Sequence, residues 1–226
     1  MKPLLTLIEG YRVTPELIEK VRSCNWHPDE NEEDRKHKDA MAARGYWQAF
    51  QTVKASIKEI LGGKNSGSVA DKDHGKWYRE LFSPSVTTGI IEASELAGYR
   101  NEPVYIKGSR HTPPSPTAIK DVMPALFEIL KEEKEPSVRA VLGHFIFVYL
   151  HPYRDGNGRI GRFLMNVMLA SGGYPWTVIS LANRKKYMEA LEKASVEQDI
   201  SAFVEFLAKL VKEGLEGKSI QNIPAE

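Results

Sequence analysis

The segment His151-Pro152-Tyr153-Arg154-Asp155-Gly156-Asn157-Gly158-Arg159-Ile160-Gly161-Arg162 joins two helix-forming runs and governs both the fold and the chemistry of the chain. Upstream, Val138 to Leu150 (VRAVLGHFIFVYL) is almost wholly apolar with Gly143 as its one breaker, which predicts a helix buried on most sides. Pro152 ends it. Asp155 to Gly158 has the composition of a tight loop with positive-φ positions, and Arg159 to Ala170 (RIGRFLMNVMLA) resumes helical spacing. The loop therefore opens a helix. The first N–H groups of a helix and the positive end of its dipole favour an anion, and glycines let a phosphate approach the backbone. Arg159 and Arg162 fall three apart in the first turn, where each can fork two hydrogen bonds to phosphate oxygens and where, without an anion, they would repel each other. Asp155 suits magnesium, which is usually held by one or two carboxylates together with substrate phosphates. His151 is the group in the run able to accept a proton near neutral pH. The residues alone describe a polyphosphate site with a proton acceptor at its edge.

The run resembles the signature of the Fic family, His-Pro-Phe-x-Asp/Glu-Gly-Asn-Gly-Arg-x-x-Arg, with Tyr153 where the family carries Phe. The resemblance implies a mainly α fold of the Fic type with a short β-hairpin flap over the active site. It also implies a nucleotidyltransferase that moves AMP from ATP to a Ser, Thr or Tyr hydroxyl of a protein substrate, a protein adenylyltransferase. In that reading His151 is the general base, Asp155 holds Mg2+, and Gly156, Asn157, Gly158, Arg159, Gly161 and Arg162 bind the ATP co-substrate.

Ala97 to Arg100 (AGYR), followed by Val104 to Pro114 (VYIKGSRHTPP), is similar to the family's flap segment. The composition agrees: Val104 to Ile106 is β-branched and aromatic, and Gly108 with the two prolines breaks any helix. Val104, Tyr105, Ile106, Lys107 and Gly108 are expected to form an exposed hairpin edge that pairs with an extended target segment, an ordinary surface hairpin being the other reading. Arg184 to Leu191 (RKKYMEAL) resembles the helix beside the adenine. Tyr187 and Leu191, four apart, share a face and could sandwich a base, although the same spacing suits a core pair. Leu5-Thr6-Leu7-Ile8-Glu9-Gly10 looks like the N-terminal form of the family's inhibitory helix, Ser/Thr-x-x-x-Glu-Gly/Asn, with Leu5 in place of the hydroxyl residue. The resemblance implies that Glu9 pairs with Arg162 and keeps the γ-phosphate from seating; a solvated terminus is the alternative.

Composition narrows the setting. The chain has 226 residues and a formal net charge of +1, so no basic bias points to nucleic acid or an anionic membrane. No transmembrane run or signal pattern is read, and Cys24 as the single cysteine suits a reducing compartment, which together give a cytoplasmic expectation. The expected organisation is one compact domain: an N-terminal helical part over 1–61 with the inhibitory segment near 5–10, and a catalytic core over 77–215. Gly62 to Gly75 (GGKNSGSVADKDHG) reads as a flexible loop between them. Helical spacing is further read over 14–23, 39–61, 77–82, 117–132, 184–194 and 200–215, and the flap is the one expected β element. His144 lies seven residues before His151 without a third ligand at zinc spacing, so it reads as a core histidine, and there is no P-loop. Removal of AMP, transfer of another phosphate-linked group, and a nucleotide-binding module without turnover stay open, as do self-modification and homo-oligomerisation. A base at the mouth of the site favours an enzyme.

Overall fold

A computed structural model describes residues 5–6, 12–13, 38–87, 89 and 91–218. Among these are two short strands, β1 (Leu5–Thr6) and β2 (Arg12–Val13), paired antiparallel with Leu5 opposite Val13. The described helices are α1 (Lys38–Leu61), α2 (Ser66–Thr87), α3 (Pro116–Glu132), α4 (Pro136–Leu150), α5 (Asn157–Ser171), α6 (Arg184–Glu197) and α7 (Ser201–Leu215), with 3-10 turns at Ala93–Leu96 and Leu181–Asn183. The mainly α expectation agrees with this.

The chain divides into two compact units, Met1–Lys54 with Gly75–Ala97, and Ala55–His74 with Gly98–Glu226. In the first, α1 and α2 cross at Gly45, where a Cβ would stand 2.0 Å from the Leu81 carbonyl oxygen. Only glycine fits that crossing. Ala49, Val53, Trp77 and Leu81 are buried, and the Ser83 hydroxyl donates to Gln48 Oε1 at 3.1 Å.

The second unit holds the His151–Arg162 run. Its central element is α5, which buries residues on nearly every side, from Asn157 and Arg159 through Phe163, Leu164, Met165 and Leu169. Against it lies α4, which buries Ala140, Gly143, His144, Phe147 and Leu150 at three- and four-residue spacing and leaves Phe145, Ile146 and Tyr149 half-buried. The more apolar helix is thus the less enclosed one. Phe147, Phe163 and Phe203 are fully buried, and each such ring contributes roughly 1.5–3 kcal/mol relative to exposure. Helix α3 starts cleanly, with the Ser115 hydroxyl accepting from the Ala118 N–H at 3.3 Å and Pro116 in the first turn.

Three expectations fail here. Leu5–Thr6, read as the start of an inhibitory helix, lies in strand β1 paired with β2, so the β element among the described residues is not the flap. The stretch 62–75 is not a flexible loop: α2 begins at Ser66 and runs through it. Asn65 caps the helix, its Oδ1 accepting from the Ser68 N–H at 2.9 Å while Nδ2 donates to the Lys131 carbonyl at 3.0 Å. A Cβ on Gly67 would lie 2.5 Å from the Leu130 carbonyl carbon, so that glycine permits close packing rather than motion. The flap hairpin is also not formed. Residues 98–115 contain no strand; Gly108 at φ 80 makes a turn closed by the Ser109 N–H on the Ile106 carbonyl at 3.1 Å. Side chains from elsewhere, described below, hold this loop in place of a cross-strand ladder.

Candidate active site

Helix α4 ends in His151, whose φ of 51 and ψ of 58 place a non-glycine residue in the left-handed region. Such a conformation costs about 1–2 kcal/mol and persists where surrounding bonds enforce it. The His151 N–H donates to the Phe147 carbonyl at 3.1 Å, and Nδ1 lies 3.0 Å from the Val148 carbonyl. A carbonyl only accepts, so that contact assigns the proton to Nδ1 and leaves the Nε2 lone pair as the acceptor. Burial is the main influence on the imidazole and lowers its pKa; the Val148 carbonyl opposes this, the Arg100 guanidinium adds to it, and Asp155 opposes it weakly. The His151 imidazole is therefore neutral at neutral pH.

The turn after it is built by Asn157. Its Oδ1 accepts from the Tyr153 N–H at 2.9 Å and its Nδ2 donates to the Tyr153 carbonyl at 2.8 Å. The side chain therefore staples the loop shut, and Tyr153, buried beside Phe147, Tyr99 and His74, fixes its near end. Gly156 takes φ 76, and its N–H donates to Asp155 Oδ1 at 2.6 Å. The first helical bond of α5 runs from the Ile160 N–H to the Gly156 carbonyl, so the N–H groups of Asn157, Gly158 and Arg159 precede it and form the anion-favouring end of the helix.

The arginines differ. Arg159 is 2% exposed and reaches Asp155 Oδ2 at 3.1 Å, while Asp155 itself is 65% exposed. Arg162 is half-buried, and its charge helps to depress the pKa of His144. Gly161 lies at the contact of α4 and α5: a Cβ there would come within 2.8 Å of Val148 Cγ1 and 3.2 Å of His144 Nδ1. Its side-chain position thus faces the core. Gly161→Ala is expected to destabilise the protein by about 1–3 kcal/mol through overpacking, read as a lower midpoint in urea or heat; an unchanged midpoint would show that Val148 yields freely.

Tyr187 is 2% exposed. Its hydroxyl is 2.8 Å from His144 Nε2, and its ring packs on Phe203 and Phe206. Leu191, one turn on, is half-buried. His144 is fully buried, and burial drives its pKa down to about 4. A neutral His144 with Tyr187 is a core pair that backs the first turns of α5.

The 98–115 loop is pinned at both ends. Ser109 Oγ donates to Glu192 on α6, and the Arg110 N–H donates to Glu192 Oε1 at 2.9 Å. Glu102 pairs with Arg154 of the signature run at 3.0 Å. Between these ties Tyr105 stands 83% exposed, with Val104 and Ile106 half-buried and Lys107 exposed on either side. Sequence reading missed Glu192 and the buried Arg100, because nothing in a helix-face glutamate or a loop arginine marks a long-range anchor. Glu9 lies outside the described residues.

Among the described residues no cluster of three or more His, Cys, Asp or Glu could cage a metal. Asp155 is a single solvent-facing carboxylate at the edge of an anion site, which fits an ion whose other ligands are phosphates and water. No described helix is long and apolar enough to cross a membrane.

Residues 72–169 match the Fic/DOC family. The chain carries a Fic/DOC domain. The chain is 36% identical over 172 residues to a protein named protein adenylyltransferase Fic from Drosophila willistoni, an alignment covering 74% of this chain and 32% of that protein. It is likewise 36% identical over 125 residues to one of the same name from Nematostella vectensis, covering 54% of this chain and 29% of the relative. The chain thus spans about a third of the length of these curated relatives. Solved structures share the fold: Fic-1 from C. elegans at a TM-score of 0.73 and 20% identity, covering 93% of this chain and 59% of that one, and a Fic domain containing signaling protein from Bacteroides thetaiotaomicron at 0.64 and 21%, covering 95% and 85%. The Fic match takes in the loop at 98–115 and all of His151–Arg162, whereas α6 and α7 lie beyond it.

Proposed function

We propose that this chain is a protein adenylyltransferase that moves AMP from ATP to a Ser, Thr or Tyr hydroxyl of a protein. The observation that carries the reading is the 3.0 Å contact of His151 Nδ1 with the Val148 carbonyl, which draws the proton to Nδ1 and leaves Nε2 to accept one, in the run that leads into α5. The acceptor hydroxyl oxygen forms a bond to the α-phosphorus as Nε2 takes its proton; the bond from that phosphorus to the bridging oxygen breaks, and pyrophosphate leaves. The N–H groups of Asn157, Gly158 and Arg159, with the Arg159 and Arg162 guanidiniums, oppose the charge on the phosphates. Asp155 would hold Mg2+, which supplies further neutralisation of the polyphosphate when bound. A target segment would lie along the exposed part of Val104–Gly108, presenting its hydroxyl to His151. The relatives named protein adenylyltransferase agree with this chemistry.

Incubation of the protein with a lysate and ATP labelled at the α-phosphate tests it. Protein-bound label from α-labelled but not γ-labelled ATP is the expected result, and protein-bound γ-label or no protein-bound label overturns it.

A further inference from the structure

Arg100 lies outside the signature run, is 3% exposed, and has carbonyl oxygens as its hydrogen-bond acceptors. Its Nε donates to the His151 carbonyl at 2.7 Å, Nη2 reaches the Leu150 carbonyl at 3.4 Å, and its backbone N–H donates to the Pro152 carbonyl at 2.8 Å. One residue therefore serves three successive carbonyls where α4 ends. The Leu150 carbonyl is one that a helix C-terminus leaves without an intrahelical donor, the other two belong to the cap and the residue after it, and a cation there is favoured by the helix dipole. The same guanidinium also donates from Nη1 to the Glu102 carbonyl at 3.0 Å and from Nη2 to the Pro114 carbonyl at 2.5 Å. Those two carbonyls flank the loop that exposes Tyr105. Capping alone would need neither the second pair of bonds nor a buried charge, whose desolvation lowers the Arg100 pKa.

We infer that Arg100 is a positioning residue: it holds the His151 peptide in its left-handed conformation and fixes the imidazole relative to the 102–114 loop. This rests on the reading of His151 as the base. A lysine cannot replace it, because one ammonium lacks the planar fork that spans both groups of carbonyls. The groups that face the imidazole are Arg100 and His111 from the loop, the Val148 carbonyl from α4, and Asp155 from the turn. Removing Arg100 withdraws a cation from that set.

The test compares Arg100→Met and Arg100→Lys with the wild type. It measures kcat, the KM for ATP, and the titration of His151 by NMR of histidine-labelled protein. In Arg100→Met, kcat is expected to fall by about 10²-fold, as for a misplaced reacting group, with the KM for ATP within about twofold of wild type. The His151 titration should move upward, because a nearby cation that lowers it has gone. Arg100→Lys keeps the charge, so its titration should stay near wild type while kcat still falls at least about tenfold. A loss of kcat in Arg100→Met with the His151 titration unmoved would make Arg100 a purely structural residue. If Arg100→Met does not fold, Arg100→Lys decides alone, and wild-type kcat there overturns the proposal. The titration needs no turnover: a shifted His151 in a protein that transfers no AMP would fault the functional reading and leave the positioning role standing.

Discussion

His151→Ala should reduce transfer of AMP by about 10²–10⁴-fold while ATP binds almost as tightly as to the wild type. The separation follows from the geometry: the proton acceptor sits at the end of α4, whereas the anion-favouring N–H groups and Arg159 belong to α5. Alanine removes the imidazole without touching those donors. The pH profile gives the second half of the test. Because burial lowers the His151 pKa from its ordinary 6.5, the imidazole stays neutral as pH falls below that value. The wild-type rate should therefore hold below pH 6.5, decline only when the lowered pKa is reached, and show no gain from His151 on raising the pH further. Single-turnover rates across pH, with ATP affinity by calorimetry, measure both. A loss of affinity as large as the loss of rate would make His151 a binding residue and remove the base from the mechanism.

The signature run was legible because its chemistry is local. Aspartate, glycine and asparagine favour a tight turn, and Asp155, Gly156 and Asn157 build theirs with partners no more than four residues away. The helices over 116–132, 136–150 and 201–215 were legible for the same reason, each carrying its apolar spacing within itself, and the first two a proline in the first turn. What could not be read depends on distant partners. Gly67 looks like a loop residue until the Leu130 backbone is set against it. Val104–Ile106 has strand composition, yet its loop is held by Arg100 and Glu192 instead of a neighbouring strand. Tyr187 has the right spacing for a nucleobase contact, but His144, a fully buried polar group, takes its hydroxyl, and Phe203 and Phe206 take its ring. Burial of Arg159 was also beyond the sequence: a first-turn arginine reads as solvent-facing, and only the packing of α5 turns it inward.

That inward turn makes Asp155 and Arg159 a coupled pair, and the two substitutions should act in opposite directions on nucleotide binding. Asp155 Oδ2 already engages Arg159 Nη2 at 3.1 Å, so a phosphate approaching the guanidinium competes with a carboxylate of like charge. Arg159→Ala removes a charge-assisted hydrogen bond worth roughly 1.5–3 kcal/mol, which is about a 10- to 150-fold loss in ATP affinity, and also leaves Asp155 to repel the phosphates. Asp155→Ala removes the competitor. In the presence of a chelator it should bind ATP as well as the wild type or better, because one negative charge beside the α5 N-terminus has gone. Its transfer rate, however, should sit at a low residual level and no longer respond to added magnesium, since the carboxylate proposed to hold the ion is missing. Calorimetry with and without chelator, set beside transfer rates over a magnesium titration, reads all four quantities. Weaker chelator-phase binding in Asp155→Ala than in wild type would mean that the carboxylate orients Arg159 for the phosphate rather than competing with it. Wild-type transfer that persists undiminished in chelator would remove magnesium from the mechanism altogether, leaving Asp155 as the partner that holds a buried guanidinium in place.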